Sequence, residues 1–149
     1  METKQLLYQQ CEAFLKQRLQ SIQQKIKEIE KSLLSETKSS AGDKHETGRA
    51  MLQLEREKAG MQLAEVQKES ALLSRVNLEQ SSKIVHLGSV VRTTQANYFL
   101  AISCGLHEIN DICFYAISPS TPIGKLLLGK KKGALITFRA QSFTITAIE

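Results

Sequence analysis

Between Leu15 and Leu33 the apolar residues fall at Leu15, Leu19, Ile22, Ile26, Ile29 and Leu33, separated by alternating steps of four and three. That spacing is the a/d seam of a coiled coil, narrower than the stripe of an ordinary amphipathic helix. The Gln, Lys and Glu between them are solvated. From Ala50 to Arg75 a second helical pattern carries Leu52, Ala59, Leu63, Val66 and Leu73 along one face, with Gly60 as its weak point. Laid antiparallel, the stripes pair Leu33 with Leu52, Ile26 with Ala59, Ile22 with Leu63 and Leu19 with Val66. Each pair of numbers adds to 85, so the mirror point lies between Gly42 and Asp43. Two positions do not fit: Ile29 meets Arg56 and Leu15 meets Ser70. The pattern predicts a two-helix antiparallel coiled coil over 1–76. Arms of roughly thirty residues would each reach about 45 Å.

The bend falls in SSAGDKHETGRA, Ser39 to Ala50, where apolar residues stop. Ser39, Ser40 and Gly42 suit a turn. Asp43 followed by Glu46 has the spacing of a capping box, which gives the two carboxylates a structural role at the start of the second helix.

Past the polar stretch 77–83 the periodicity changes. IVHLGSVVRT and NYFLAI read as strands joined around Thr94 to Asn97, and DICFYAIS is another apolar run. A loop with both prolines leads into a short helix near Gly124 to Leu128 and a Lys-rich turn. LITFRAQSFTITAIE alternates and reads as a hairpin turning around Ala140 and Gln141. The order β-β-β-α-β-β predicts a bent antiparallel sheet with one short helix on a face over 80–149. The whole chain is therefore of the α+β class.

Composition sharpens this picture. The chain has 149 residues, enough for one ordinary domain or two small ones. Apolar content is 42% but aromatics are only 5%, with no Trp, which favours an elongated molecule over one large core. A net charge of +5 favours polyanions or an acidic protein face as partners, and is equally compatible with an ordinary basic protein. Cys11, Cys104 and Cys113 form an odd set, which fits a reducing cytoplasm better than a disulfide framework. METKQLLYQQ lacks the order of a signal peptide, and no apolar run reaches the length of a membrane span. A cytoplasmic protein without a membrane partner is expected. A monomer is the simplest state, because the stalk satisfies its own seam.

Few residues offer chemistry. GKLLLGKK fits the start of a phosphate-binding loop, but Lys131 stands where the metal-binding Ser or Thr belongs, and three Leu lie between the glycines. Cys104, His107 and Cys113 make a weak zinc pattern at irregular spacing. Lys130, Lys131 and Lys132 form a basic knob without an aromatic platform, suited to loose contact with an RNA or DNA backbone rather than base reading. No nucleophile-base pair and no dinucleotide fingerprint is present, so the chain is not expected to be an independent enzyme, nor to carry a cofactor of its own. Asp43 and Glu46, three apart, can point the same way. Hard oxygen ligands of this kind suit Mg²⁺, provided a partner supplies the remaining ligands.

Two regions together resemble the bacterial Gre family of transcript cleavage factors. VHLGSVV, YFLAI and ISPSTPIGKLLLGKKKGA are similar to the family's C-terminal domain. GDKHET keeps Gly42, Asp43 and Glu46 of its G-D-L-x-E-N coiled-coil tip, at the mirror point derived above. The resemblance implies an FKBP-like C-terminal domain docked on RNA polymerase at its secondary channel. It implies a coiled-coil finger whose tip reaches the polymerase active site. There Asp43 and Glu46 would help hold a second Mg²⁺, shared with the polymerase, and orient the water that hydrolyses a backtracked RNA 3′ end. They would be catalytic only within the polymerase site. Docking would use Ser118, Ser120 and Pro122. Departures from the family are Lys44 for Leu, Thr47 for Asn and Ala50 for a frequent Tyr. Lys38, Lys44, His45 and Arg49 surround the tip with positive charge, which favours RNA phosphates and opposes Mg²⁺ capture.

The leading expectation is thus a transcription elongation factor that stimulates the polymerase's own RNA cleavage. A second is a non-cleaving regulator bound in the same channel. A third, from another class, is a prolyl isomerase or chaperone acting through the FKBP-like half, against which the sparse aromatics count.

Overall fold

The computed structural model describes residues 2–38 and 42–149, with side chains outside 37–45. Two long helices come first, α1 (Glu2–Lys38) and α2 (Gly42–Ser74). Then follow β1 (Val90–Thr93), β2 (Asn97–Leu100), β3 (Gly105–Ile109), β4 (Ile112–Ile117), α3 (Pro122–Leu127), β5 (Leu135–Phe138) and β6 (Gln141–Ile148). This is the expected α+β arrangement of a helical pair, a sheet and one short helix. Packing divides the chain into two compact units: Met1–Phe14 with Ser70–Glu149, and Leu15–Glu69.

In the helical unit, Leu15, Ile22 and Ile29 are buried on α1, and Ala59 and Val66 on α2. Both series recur every seven residues, as knobs-into-holes packing requires. Cross-helix pairs confirm the antiparallel direction. Arg18 meets Glu69 at 3.4 Å and Glu30 meets Arg56 at 3.4 Å. Arg49 donates to the Leu33 carbonyl at 3.4 Å. The apparent mismatch at Ile29 is resolved by Arg56: it is half-buried with its charged end on Glu30, so its stem can cover apolar surface while the guanidinium stays wet. The helix also runs through Gly60 unbroken.

The other unit holds a six-stranded sheet in the order β3-β4-β2-β1-β6-β5. Two expectations need correction. The sheet is not wholly antiparallel, because β2 pairs parallel with β4, Tyr98 opposite Tyr115 and Leu100 opposite Ile117. There is also an additional strand, β3, in GLHEI, antiparallel to β4. Its exposed Gly105, Leu106 and Glu108 show why alternation did not announce it: it is an edge strand with only Ile109 buried.

Val85, Val91, Leu100, Leu127, Ile136, Phe143 and Ile145 form a core between one sheet face and α3. Val90, Phe99 and Phe114 are equally buried but stand apart from that cluster. Strand β1 is therefore covered on both faces. The same unit contains the fully buried Leu7 and Cys11 of α1, whose first turns are tied to it by Lys4 donating to the Gln80 carbonyl at 2.8 Å.

Two tight turns close the hairpins. Asn110 and Asp111 (φ 52° and 68°) join β3 to β4, and Arg139 and Ala140 (φ 51° and 63°) join β5 to β6. Paired positive φ values mark the turn whose twist matches that of the strands. Among the described residues, no helix is long and apolar enough to cross a membrane.

Candidate functional site

Helix α1 ends at Lys38 and α2 begins at Gly42, so the mirror point between Gly42 and Asp43 falls in the first turn of α2, a few residues past the end of α1. Ser39 and Ser40, expected to turn the chain, lie outside the described residues. Asp43 belongs to the first turn of α2, and its side chain also lies outside them, as do those of Lys38, Lys44 and His45. Glu46 is one turn further along the same helix and is exposed. Positions three apart on a helix share a face, so the backbone places the two carboxylate-bearing residues side by side at the closed end of the pair. A helix start also favours negative charge through its unsatisfied N–H groups.

The geometry adds one group that the sequence reading missed. A Cβ on Gly48 would lie 3.4 Å from the Glu36 carboxyl, so the half-buried Glu36 on α1 faces the second turn of α2. The pairing rule itself could have found it, since 36 and 48 straddle the same mirror. Of the basic residues around this end, Arg49 turns its guanidinium onto the Leu33 carbonyl.

The second candidate region is the loop before α3. Ser118 Oγ accepts from the Ser120 N–H at 3.1 Å and lies 2.8 Å from Ser120 Oγ. Thr121 caps α3, its Oγ1 accepting from the Gly124 N–H at 3.1 Å and donating to the Ser118 carbonyl at 2.7 Å. Pro122 occupies the first helical position, where a missing N–H costs nothing, and is exposed. Ser118 is half-buried and Ser120 exposed. The structure therefore brings Ser118, Ser120 and Pro122 together on one short, internally bonded loop. Gly124 makes it possible: a Cβ there would sit 2.2 Å from the Ser118 carbonyl oxygen.

Pro122 also borders an open cleft of about 790 Å³, lined by Tyr98, Tyr115, Ile123, Phe138 and Phe143 among others. Tyr98 lies 6.1 Å from Tyr115 and 6.3 Å from Phe143, ring centre to ring centre. Burial, and secondarily Tyr115, raise the Tyr98 phenol above its usual value. Aromatics are scarce in the chain as a whole but concentrated here.

The LGS segment is a structural turn. Gly88 has φ +94°, and its N–H reaches the Leu100 carbonyl. The fully buried Ser89 accepts from the His86 N–H at 2.9 Å and meets His86 Nδ1 at 2.9 Å. Cys104, His107 and Cys113, only a weak zinc pattern in the sequence, are not assembled as a trio. Cys113 is exposed on β4 opposite Glu108, and Cys11 of α1 stands beside Cys104 instead. Lys130, Lys131 and Lys132 are all exposed, with Lys131 bridged to Ile84.

No family profile matches the chain. No curated protein matches it either. Among solved structures the chain is similar to one described as the structure of the transcription factor Gfh1, with 21% identity, a TM-score of 0.36, and coverage of 95% of this chain and 92% of that one.

Proposed function

We propose that the protein is a transcription elongation factor that docks on RNA polymerase and stimulates cleavage of backtracked RNA. The observation that carries this reading is the coincidence at the hairpin end. The Gly42-Asp43-x-x-Glu46 motif falls on the first turns of α2 where the two helices meet, and Glu46 is exposed there. The bonded loop at Ser118–Pro122 supports it as the docking element. On this reading the chain contributes part of a catalytic site, and the polymerase supplies the rest.

The donors that the chain offers at this end are carboxylate oxygens, Asp43 and Glu46, which fits a hard Mg²⁺ held jointly with the polymerase. Bound there, the ion would activate the attacking water and stabilise the leaving oxygen. The chain's own task is to bring negative charge to the polymerase site at the end of a stiff support. That a seven-residue repeat holds the support together makes such delivery reproducible.

The test uses purified polymerase stalled in a backtracked state, with the protein and Mg²⁺ added. Short 3′ RNA fragments are expected. The double variant Asp43→Ala, Glu46→Ala is expected to retain polymerase binding and lose the fragments. Unchanged cleavage by that variant would remove these carboxylates from the mechanism. Binding that competes with a cleavage factor, without fragments, would assign the protein as a non-cleaving regulator. The aromatic cleft beside Pro122 favours a further reading, a prolyl isomerase acting on an extended peptide. Acceleration of proline isomerisation in a short peptide, lost on Tyr115→Ala at an exposed position of the cleft, would establish that instead.

A further inference from the structure

Cys11, Cys104 and His107 come from separate parts of the chain and meet within the unit formed by Met1–Phe14 and Ser70–Glu149. Cys11 Sγ lies 3.4 Å from Cys104 Sγ, and Cys104 Sγ lies 3.1 Å from His107 Nε2. All three ligand atoms are within 4.8 Å of one another. We propose that Cys11, Cys104 and His107 form a zinc site that ties the start of α1 to the edge strand β3.

The local structure is organised around this meeting. On α1, Lys4, Leu7 and Cys11 are buried at helical spacing, so Cys11 faces inward with no exposed surface. Cys104 precedes β3 and His107 lies within it. Three apart on a regular strand, they would point to opposite faces. Gly105, between them, has φ +87°, and nothing within 4 Å would obstruct a side chain there. Glycine is therefore required by conformation rather than by space, and the kink it makes turns Cys104 toward His107.

The imidazole is oriented for ligation. His107 Nδ1 lies 2.8 Å from Gln10 Oε1, a carbonyl-type oxygen that accepts the Nδ1–H. That fixes the tautomer with its Nε2 lone pair toward the two sulfurs. An outer partner on the distal ring nitrogen is the usual support of a zinc-bound histidine. Gln10 adjoins Cys11, so one helical turn supplies both a ligand and the group that orients another.

The dimensions suit zinc. Tetrahedral zinc, with bonds of about 2.3 Å to sulfur and 2.0 Å to nitrogen, separates two sulfurs by about 3.8 Å and a sulfur from a nitrogen by about 3.5 Å. The Cys11–Cys104 and Cys104–His107 separations of 3.4 and 3.1 Å need to open by only a few tenths of an ångström. Two thiolates and one neutral imidazole are soft-to-borderline donors, which excludes Mg²⁺ and Ca²⁺ as occupants. Zn²⁺ displaces both thiol protons, so the bound centre carries no net charge, and a water can take the fourth position on the half-exposed Cys104 and His107 side. Hydrogen bonding to Cys104, and then burial, push the Cys11 thiol well above its usual value. Metal must therefore compete with protons, and affinity is expected to rise about a hundredfold per pH unit while both thiols stay protonated.

The experiment titrates reduced, chelator-stripped full-length protein with Co²⁺ and then Zn²⁺. One Co²⁺ per chain is expected, with the near-ultraviolet thiolate-to-cobalt band and the strong visible bands of tetrahedral cobalt. Zn²⁺ should bleach them, with two protons released per ion and a raised thermal midpoint. Cys104→Ala and His107→Gln, both at half-exposed positions, should fold by circular dichroism and lose the thiolate-rich spectrum or its tetrahedral intensity. Cys113→Ser should behave as the parent does. Absence of the bands in the reduced parent protein, their persistence in Cys104→Ala, or their loss in Cys113→Ser would each overturn the proposal. Because the readout is spectroscopic and needs no polymerase, its failure is separate from failure of the proposed function.

Discussion

At the scale of single residues, the most constrained positions are those where backbone passes close to backbone. Gly124 is one. An added methyl would stand 2.2 Å from the Ser118 oxygen, 2.8 Å from Thr121 Oγ1 and 3.1 Å from Pro119 Cα. Two of these neighbours are backbone and cannot rotate aside. Gly124→Ala is therefore expected to cost about 3 kcal/mol, the upper range for overpacking, and to displace the loop 118–121. Urea unfolding measures the first effect. Under the proposed function, weakened polymerase binding by the variant would measure the second. Lys4 is constrained differently. Its residue is 3% exposed and it bonds to the Gln80 carbonyl. Burial lowers its ammonium below the usual value of 10.5, with Glu149 opposing. The unfolded chain then holds this proton to higher pH than the folded chain does. Between the lowered value and 10.5 the unfolded state binds more protons, so this group adds stability as pH rises. Tyr8 and Tyr98, raised chiefly by burial, work in the opposite direction at alkaline pH. The Lys4 contribution is thus read as a difference. Between neutral pH and about pH 10, the urea midpoint of the parent is expected to rise relative to that of Lys4→Met. Parallel curves would show that Lys4 titrates as an exposed lysine.

At the scale of elements, legibility followed how local the determining physics was. The hairpin could be read because one rule, seven-residue recurrence mirrored about a point, acts along α1 from Leu15 and along α2 as far as Val66. The mirror point fell within a few residues of the end of α1, in the same stretch that the turn residues Ser39, Ser40 and Gly42 marked. Strands β1, β2, β4, β5 and β6 announced themselves by apolar runs or alternation. Strand β3 did not, because an edge strand exposed at Gly105, Leu106 and Glu108 buries too little to leave a pattern. The parallel pairing of β2 with β4 was equally hidden, since direction depends on where the intervening edge strand is placed rather than on either strand's residues. The Arg139–Ala140 turn shows a further limit. Both residues take positive φ although neither is Gly, Asn or Asp, so tertiary pairing of β5 with β6 holds a conformation that its own sequence disfavours. The candidate site divides the same way. Gly42, Asp43 and Glu46 were visible from their place in the mirror. The Cys11–Cys104–His107 meeting was not, because residues some ninety apart become neighbours only through the fold.

At the scale of the molecule, the chain enters one compact unit, leaves it at Phe14, completes the helical pair, and returns at Ser70. The sheet-bearing unit therefore contains two chain segments. Its N-terminal piece contributes Leu7 and Cys11, both fully buried, and the Lys4 bond to Gln80. Burying a Leu side chain is worth about 2 kcal/mol, against a total of about 5–15 kcal/mol for a small domain. Losing the whole segment is thus a large fraction of the margin. Two truncations separate the contributions. A fragment of residues 80–149 alone is expected to bind a hydrophobic dye and unfold at much lower urea than the full chain. A chain in which a short Gly/Ser linker replaces 15–69, joining Phe14 directly to Ser70, should recover cooperative unfolding. Equal stability of the two fragments would show that the first turns of α1 merely lie on the unit. A gain confined to the linked chain, and abolished by Leu7→Ala, would show that the first turns of α1 are built into the core of the sheet-bearing unit.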